Sequence, residues 1–122
     1  MAKILFIDDD QAIRDLVTLR LQIAGHDVTL AENGKIGVEA ALLGSYDLIL
    51  MDMHMPIMSG HEAVKILRDS SYTGLIVALT ASVMISETNE AIAAGCDDII
   101  VKPMTEEFEE QVATLIQNHI RT

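Results

Sequence analysis

Tryptophan is missing from this chain, and two phenylalanines and two tyrosines are its whole aromatic complement. A core of stacked rings is thereby excluded. Half the residues are hydrophobic, so the core must be aliphatic, built from Ile, Leu, Val, Ala and Met. Cations are also scarce: eight basic residues face nineteen acidic ones, for a formal charge of -11. Such a surface repels a phosphate backbone and forgoes the counterion release that drives nucleic-acid binding, so no direct DNA or RNA binding is expected. The lone Cys96 cannot form an internal disulfide, which fits a reducing cytoplasm, and is read as a small packed residue. No apolar run could span a bilayer, and the one that opens the chain is cut short by Asp8, Asp9 and Asp10. Neither membrane association nor a signal peptide is expected. With no repeat, low-complexity tract or linker, the 122 residues read as one domain, 1–122.

What is present is an alternation of short apolar runs with longer segments of helical period, the sign of a parallel sheet covered by helices on both faces. Strands are predicted at Lys3–Ile7, Asp27–Leu30, Leu48–Met51, Leu75–Leu79 and Asp98–Val101, giving five βα units of an α/β fold. The first helix should run from Gln11 to Ala24 with Ile13, Leu16, Val17, Leu21 and Ala24 inward, and Gly25 ending it. Ser59 and Glu62 form a capping box for the third helix, whose Ala63, Ile66 and Leu67 face inward. The last helix should start near Thr105 and bury Phe108, Val112, Leu115 and Ile116. Met51, Met53, Met55 and Met58 are read as packing residues, because alternate residues leaving a strand point to opposite faces. His26, His61 and His119 receive no functional role.

In an open parallel sheet, ligands bind beyond the carboxyl ends of the strands, where strand order reverses. Strand one ends in Asp8-Asp9-Asp10, strand three in Asp52, strand four in Thr80 and strand five in Lys102, so these groups should converge on one pocket. Crowded carboxylates repel each other and raise their own pKa values unless a cation intervenes. Carboxylate-only ligation favours a hard ion, and Mg2+ suits a site that shares coordination with a phosphoryl oxygen. Lys102 can then place its ammonium on one phosphoryl oxygen and Thr80 its hydroxyl on another, with Asp52 as the nucleophile that forms an acyl phosphate. Taken singly, Asp9 or Asp10 could be a mere helix cap, Lys102 a solvated lysine and Thr80 a turn former. Their weight comes from position.

Phe6-Ile7-Asp8-Asp9-Asp10, Met51-Asp52-Met53-His54-Met55-Pro56, Leu79-Thr80-Ala81 and Val101-Lys102-Pro103 resemble the motifs of response regulator receiver domains, in the right order and over essentially the whole chain. The resemblance implies a flavodoxin-like, doubly wound fold with strand order 2-1-3-4-5. It implies that Asp9 holds the metal directly and Asp8 through water, with Asp52 and the backbone carbonyl of His54 completing the ligands. Asp52 would take its phosphoryl group from a phosphohistidine on a sensor histidine kinase or phosphotransfer protein. A downstream protein partner, or a phosphorylation-linked dimer, would use the face of the fourth helix, fifth strand and fifth helix. Small Ala81 would leave the phosphoryl group open to donor or water, and Pro103 is a candidate for a cis peptide bond.

The sequence departs from the family at Ile99, which stands where an aromatic switch residue is common, so any switching beside Thr80 must use an aliphatic side chain. His54, two residues after the nucleophile, lies where side chains can tune phosphoryl lifetime. An enzyme alternative is a Mg-dependent phosphohydrolase with an aspartate nucleophile, but His54 replaces the second acid such enzymes need. A flavin-binding alternative would want phosphate-binding amide, Ser or Thr donors where three aspartates stand. The reading is therefore a signalling module, with chemistry limited to its own phosphorylation and dephosphorylation. Met1 directly before the first strand points to a free-standing regulator, whereas Met51 to Gly60 looks similar to receivers within hybrid kinases.

Overall fold

The structure is a computed structural model that describes residues 2–81, 84–102 and 104–121, without the side chains of 120 and 121. Five strands, β1 (Lys3–Ile7), β2 (Asp27–Ala31), β3 (Leu48–Asp52), β4 (Ile76–Thr80) and β5 (Asp98–Val101), alternate with α1 (Gln11–Ile23), α2 (Gly34–Leu43), α3 (Gly60–Asp69), α4 (Ile85–Ala94) and α5 (Phe108–Arg121). All strand pairs are parallel, and the sheet order is β2-β1-β3-β4-β5, as the resemblance implied. The order reverses between β1 and β3, so their carboxyl ends frame the crevice where ligands bind in such sheets.

Every residue of β3 and β4 is buried, which is why these strands read as unbroken apolar runs rather than alternations. Successive side chains leave for opposite faces. Ile4, Phe6, Leu48 and Leu50 join Val17 and Leu21 of α1 and Phe108, Val112 and Ile116 of α5. Leu5, Ile7, Ile49 and Met51 join α2, α3 and α4 through Val38, Val64, Leu67 and Ala91. Met53, Met55 and Cys96 are buried in the second cluster, in keeping with packing roles.

Helix boundaries follow local chemistry. Asp10, not Asp9, caps α1 by accepting from the amides of Ala12 and Ile13 at 2.9 and 3.3 Å. Gly25, at φ 95°, ends it in the left-handed conformation. The Ser59–Glu62 capping box is present at α3. Four expectations fail in detail. Leu16 is half exposed, because α1 buries only the narrow stripe of Val17 and Leu21. Ala24, also expected inward, is exposed, as the cap that follows the last helical residue, Ile23. Ile66 is also exposed, and Val64 takes the inward place beside Ala63 and Leu67. The last helix begins at Phe108 rather than near Thr105, whose carbonyl accepts from the Phe108 amide at 3.3 Å and from Arg20 of α1 at 2.6 Å, and Arg20 grips both oxygens of Glu109 at 2.6 and 2.8 Å. That clamp, with Arg20 also stacked 5.2 Å from the Phe108 ring centre, ties α1 to α5.

Candidate functional site

The crevice at the β1–β3 reversal is an open cavity of ≈ 310 Å³ lined by Asp8, Asp9, Asp10, Ile13, Asp52, His54, Ala81 and Lys102. Parallel register places Ile7 opposite Met51, so the carboxylates that follow on each strand are neighbours. Asp10 is spent on the α1 cap, which leaves Asp9 exposed at the mouth. Asp8 lies deepest, fully buried, with one oxygen accepting from the Asp10 amide at 2.9 Å and the other from Lys102 Nζ at 2.8 Å. Arg14 fixes the same residue from its other end, donating to the Asp8 carbonyl at 2.8 Å.

Asp52 is 4% exposed. Its Oδ1 accepts from the His54 amide at 3.2 Å and lies 3.4 Å from Lys102 Nζ. Burial, opposed by the His54 amide and reinforced by the Asp8 charge, pushes the Asp52 pKa up to about 6 despite the nearby ammonium. Burial alone would lower the Lys102 pKa, but the hydrogen bond to Asp8 and the charges of Asp52 and Asp8 outweigh it and hold the ammonium above its usual range. One carboxyl oxygen from each of Asp8, Asp9 and Asp52 lies within 4.8 Å of the others. An all-oxygen set with one cation for three carboxylates is a cluster able to hold a hard metal ion.

The loop after Asp52 is tightly built. Gly60 opens α3 so close to the strand end that a Cβ there would strike the Asp52 carbonyl. Between them, Met58 donates its amide to the Pro56 carbonyl at 2.7 Å in a γ-turn centred on Ile57 at φ 70°. His54 is exposed to the cavity, and its Nε2 stands 4.0 Å from Glu87 Oε2 in the first turn of α4.

A family model described as "Response regulator receiver domain" matches residues 4–113. The chain belongs to the response regulator receiver domain family. Response regulator ArlR of Staphylococcus saprophyticus is 36% identical over 118 residues, which are 94% of this receiver and 51% of that protein. Two-component response regulator ORR41 of Oryza sativa is 35% identical over 111 residues, covering 88% and 87%. This receiver therefore spans about half the length of ArlR and most of ORR41. The structure of response regulator TrrA from Thermotoga maritima in complex with Mg(2+)-BeF superposes with a TM-score of 0.83 at 33% identity, over 94% of this chain and 99% of that one.

Of the residues singled out by sequence, the fold brings Asp8, Asp9, Asp52, His54, Ala81 and Lys102 to one cavity. Thr80 closes β4 and is buried at the strand end. Ile99 is half-buried in β5 and packs against the α2–α4 side of the core. Pro103 lies outside the described residues. No described helix is long and apolar enough to cross a membrane. Arg14 escaped the sequence reading. Its only signal is its place one turn past the α1 cap, from which a long side chain can reach back to the strand end.

Proposed function

We propose that this receiver, acting as one module over residues 1–122, is a phosphoacceptor switch in which Asp52 takes a phosphoryl group from a phosphohistidine of a sensor histidine kinase or phosphotransfer protein. The observation that carries the reading is Asp52 set between the Lys102 ammonium and two further carboxylates at the sheet's carboxyl edge. An Asp52 oxygen forms the new P–O bond as the donor's P–N bond breaks, and the imidazole leaves with a proton. Lys102 and Thr80 bind phosphoryl oxygens, while small Ala81 leaves the approach open. Asp8, Asp9, Asp52 and the His54 carbonyl are the Mg2+ ligands of this reading. Bound there, the ion would neutralise the carboxylates and the developing phosphoryl charge.

The switch itself joins the site to the face of α4, β5 and α5. Ile99 replaces the aromatic group common in the family, so this transition rests on Thr80 and an aliphatic partner. The protein's chemistry is limited to gaining and losing its own phosphoryl group, in the cytoplasm.

Incubation with acetyl phosphate and Mg2+ tests the proposal. One base-labile phosphate per chain is expected, absent from Asp52→Ala and from metal-free samples. Label that survives in Asp52→Ala, or that resists mild base, overturns it.

A further inference from the structure

Charge is distributed very unevenly along this receiver. Between Met84 and His119 stand eight acidic residues, one lysine and no arginine. The lysine is Lys102, already committed to Asp8 and Asp52. Asp97 and Glu109 are neutralised by Arg68 and Arg20, from α3 and α1. Glu90, Asp98, Glu106, Glu107 and Glu110 remain exposed on α4, on β5, in the turn before α5 and in the first turn of α5. Among these acids, large apolar side chains are also uncovered: Met84, Ile85, Ile92 and Val101, with Ile85 exposed by 77%. Only Ala91 of α4 is buried. Between β5 and α5 runs a groove of ≈ 360 Å³ in which Ile99, Ile100 and Leu115 lie between Asp98 on the strand side and Glu107 and Glu110 on the helix side.

We infer that this groove docks a cationic, amphipathic segment of a partner protein. Its Lys or Arg stems lie along Leu115 and the edge of β5 at Ile99, and their charged heads sit between Asp98 and the Glu107–Glu110 pair. Long basic side chains suit such a site because their methylenes cover apolar surface while their heads stay with water and carboxylates. Complementary charge also steers the encounter. A two-fold pairing of this surface with a second copy would set acid against acid, with no uncommitted cation among the described side chains of α4, β5 and α5 to compensate. The phosphorylation-linked dimer, the alternative occupant that the family resemblance implied for this face, is therefore disfavoured here. Calling the groove an output surface rests on the phosphoacceptor role proposed above, whereas the charge match does not.

The test uses the full chain and two synthetic helical peptides with the same leucine face. One carries Lys and Arg at i, i+4 spacing, and the other carries Glu at those places. In an NMR titration the cationic peptide is expected to shift amides of Asp98 to Ile100 and Glu110 to Leu115, while the acidic one leaves them in place. Affinity should fall about tenfold in Glu107→Lys/Glu110→Lys, less in the corresponding Gln pair, and steeply with salt. Sedimentation should show a monomer. Shifts confined to α1, equal binding of both peptides, indifference to charge reversal, or a dimer that the Lys pair disperses would each overturn the inference. Acetyl phosphate labelling of the same samples separates the two proposals. Wild type that labels but ignores the cationic peptide defeats this one alone, and wild type that does not label defeats the phosphoacceptor role.

Discussion

Each end of the sheet is organised around a largely covered cation, and the two cations are opposites in what they leave unsatisfied. At the amino edge, Arg68 donates to the carbonyls of Gly95, Tyr72 and Gly74 at 2.8 to 2.9 Å and to Asp97 at 3.0 Å. Asp97 in turn accepts the Ile76 amide at 2.9 Å with the same oxygen. Four acceptors meet one guanidinium, and nothing charged is left over. At the carboxyl edge, Lys102 pairs with Asp8 and Asp52 while a third carboxylate, Asp9, has an oxygen within 4.8 Å of theirs, and burial, reinforced by the Asp8 charge, pushes Asp52 up to about 6 despite the ammonium. A saturated cluster holds the fold, and an under-neutralised one is a vacancy in charge that a ligand can fill.

The sharpest way to break this contrast is Arg68→Ala. It strands three carbonyls and a carboxylate that packing partly shields from water, so unfolding free energy should fall by about 3–4 kcal/mol. Urea denaturation should give the same loss with and without Mg2+, and an Mg2+-dependent loss would mean that the two ends are not independent. Mg2+ itself is the next largest lever. At a hundredfold excess over its dissociation constant it should stabilise the wild type by about 2.7 kcal/mol and the Asp52→Asn variant by much less. Equal thermal shifts in the two proteins would remove Asp52 from the ligand set.

Asp52→Asn sharpens the comparison through pH. The folded pKa of Asp52 lies above its ordinary 3.8, so the folded chain holds this proton more tightly than the unfolded chain does. The stabilising contribution is complete below the ordinary value and is lost as pH rises through about 6. Metal-free Asp52→Asn should therefore match wild type in acid and exceed it by about 2 kcal/mol at neutral pH, allowing for screening by water in the open cavity. A constant difference across the range would show that Asp52 is not the titrating group. Arg68→Ala, at the saturated end, should keep the wild-type pH profile.

The under-neutralised end was legible in the sequence, and the saturated end was not. Asp8, Asp52, Thr80 and Lys102 each follow an apolar run, and parallel-strand topology alone sends all such residues to one edge. Beyond the nearby Tyr72 and Gly74 carbonyls, Arg68 has partners 27 and 29 residues away, and Arg20 has them 85 and 89 away, so no local pattern announces the full set of either clamp. The same blindness explains Leu16 and Ile66, since periodicity marks an apolar stripe but not how wide a strip the sheet will cover. The start of α5 lies at Phe108 rather than near Thr105, and the Thr105 carbonyl there is shared by the Phe108 amide and by Arg20, 85 residues away.

Backbone strain supplies the smallest test of the same contrast. Both edges hold a non-glycine residue at positive φ, Ile57 at 70° and Ser71 at 67°. Ser71 closes α3, where its own amide and that of Tyr72 donate back to Arg68 and Leu67 at 3.1 and 3.0 Å, so two hydrogen bonds offset the strain. Ile57 is β-branched, 80% exposed and held by the single Met58–Pro56 bond, so little beyond its neighbours compensates it. Ile57→Gly should relieve about 1–2 kcal/mol of strain while costing about 0.5–1 kcal/mol of added unfolded-chain entropy. The net expectation is a stabilisation of several tenths of a kcal/mol, read as a small rise in the urea midpoint at unchanged slope. A loss of 1 kcal/mol or more would mean that the Ile57 side chain, and not only its backbone, holds the loop behind Asp52.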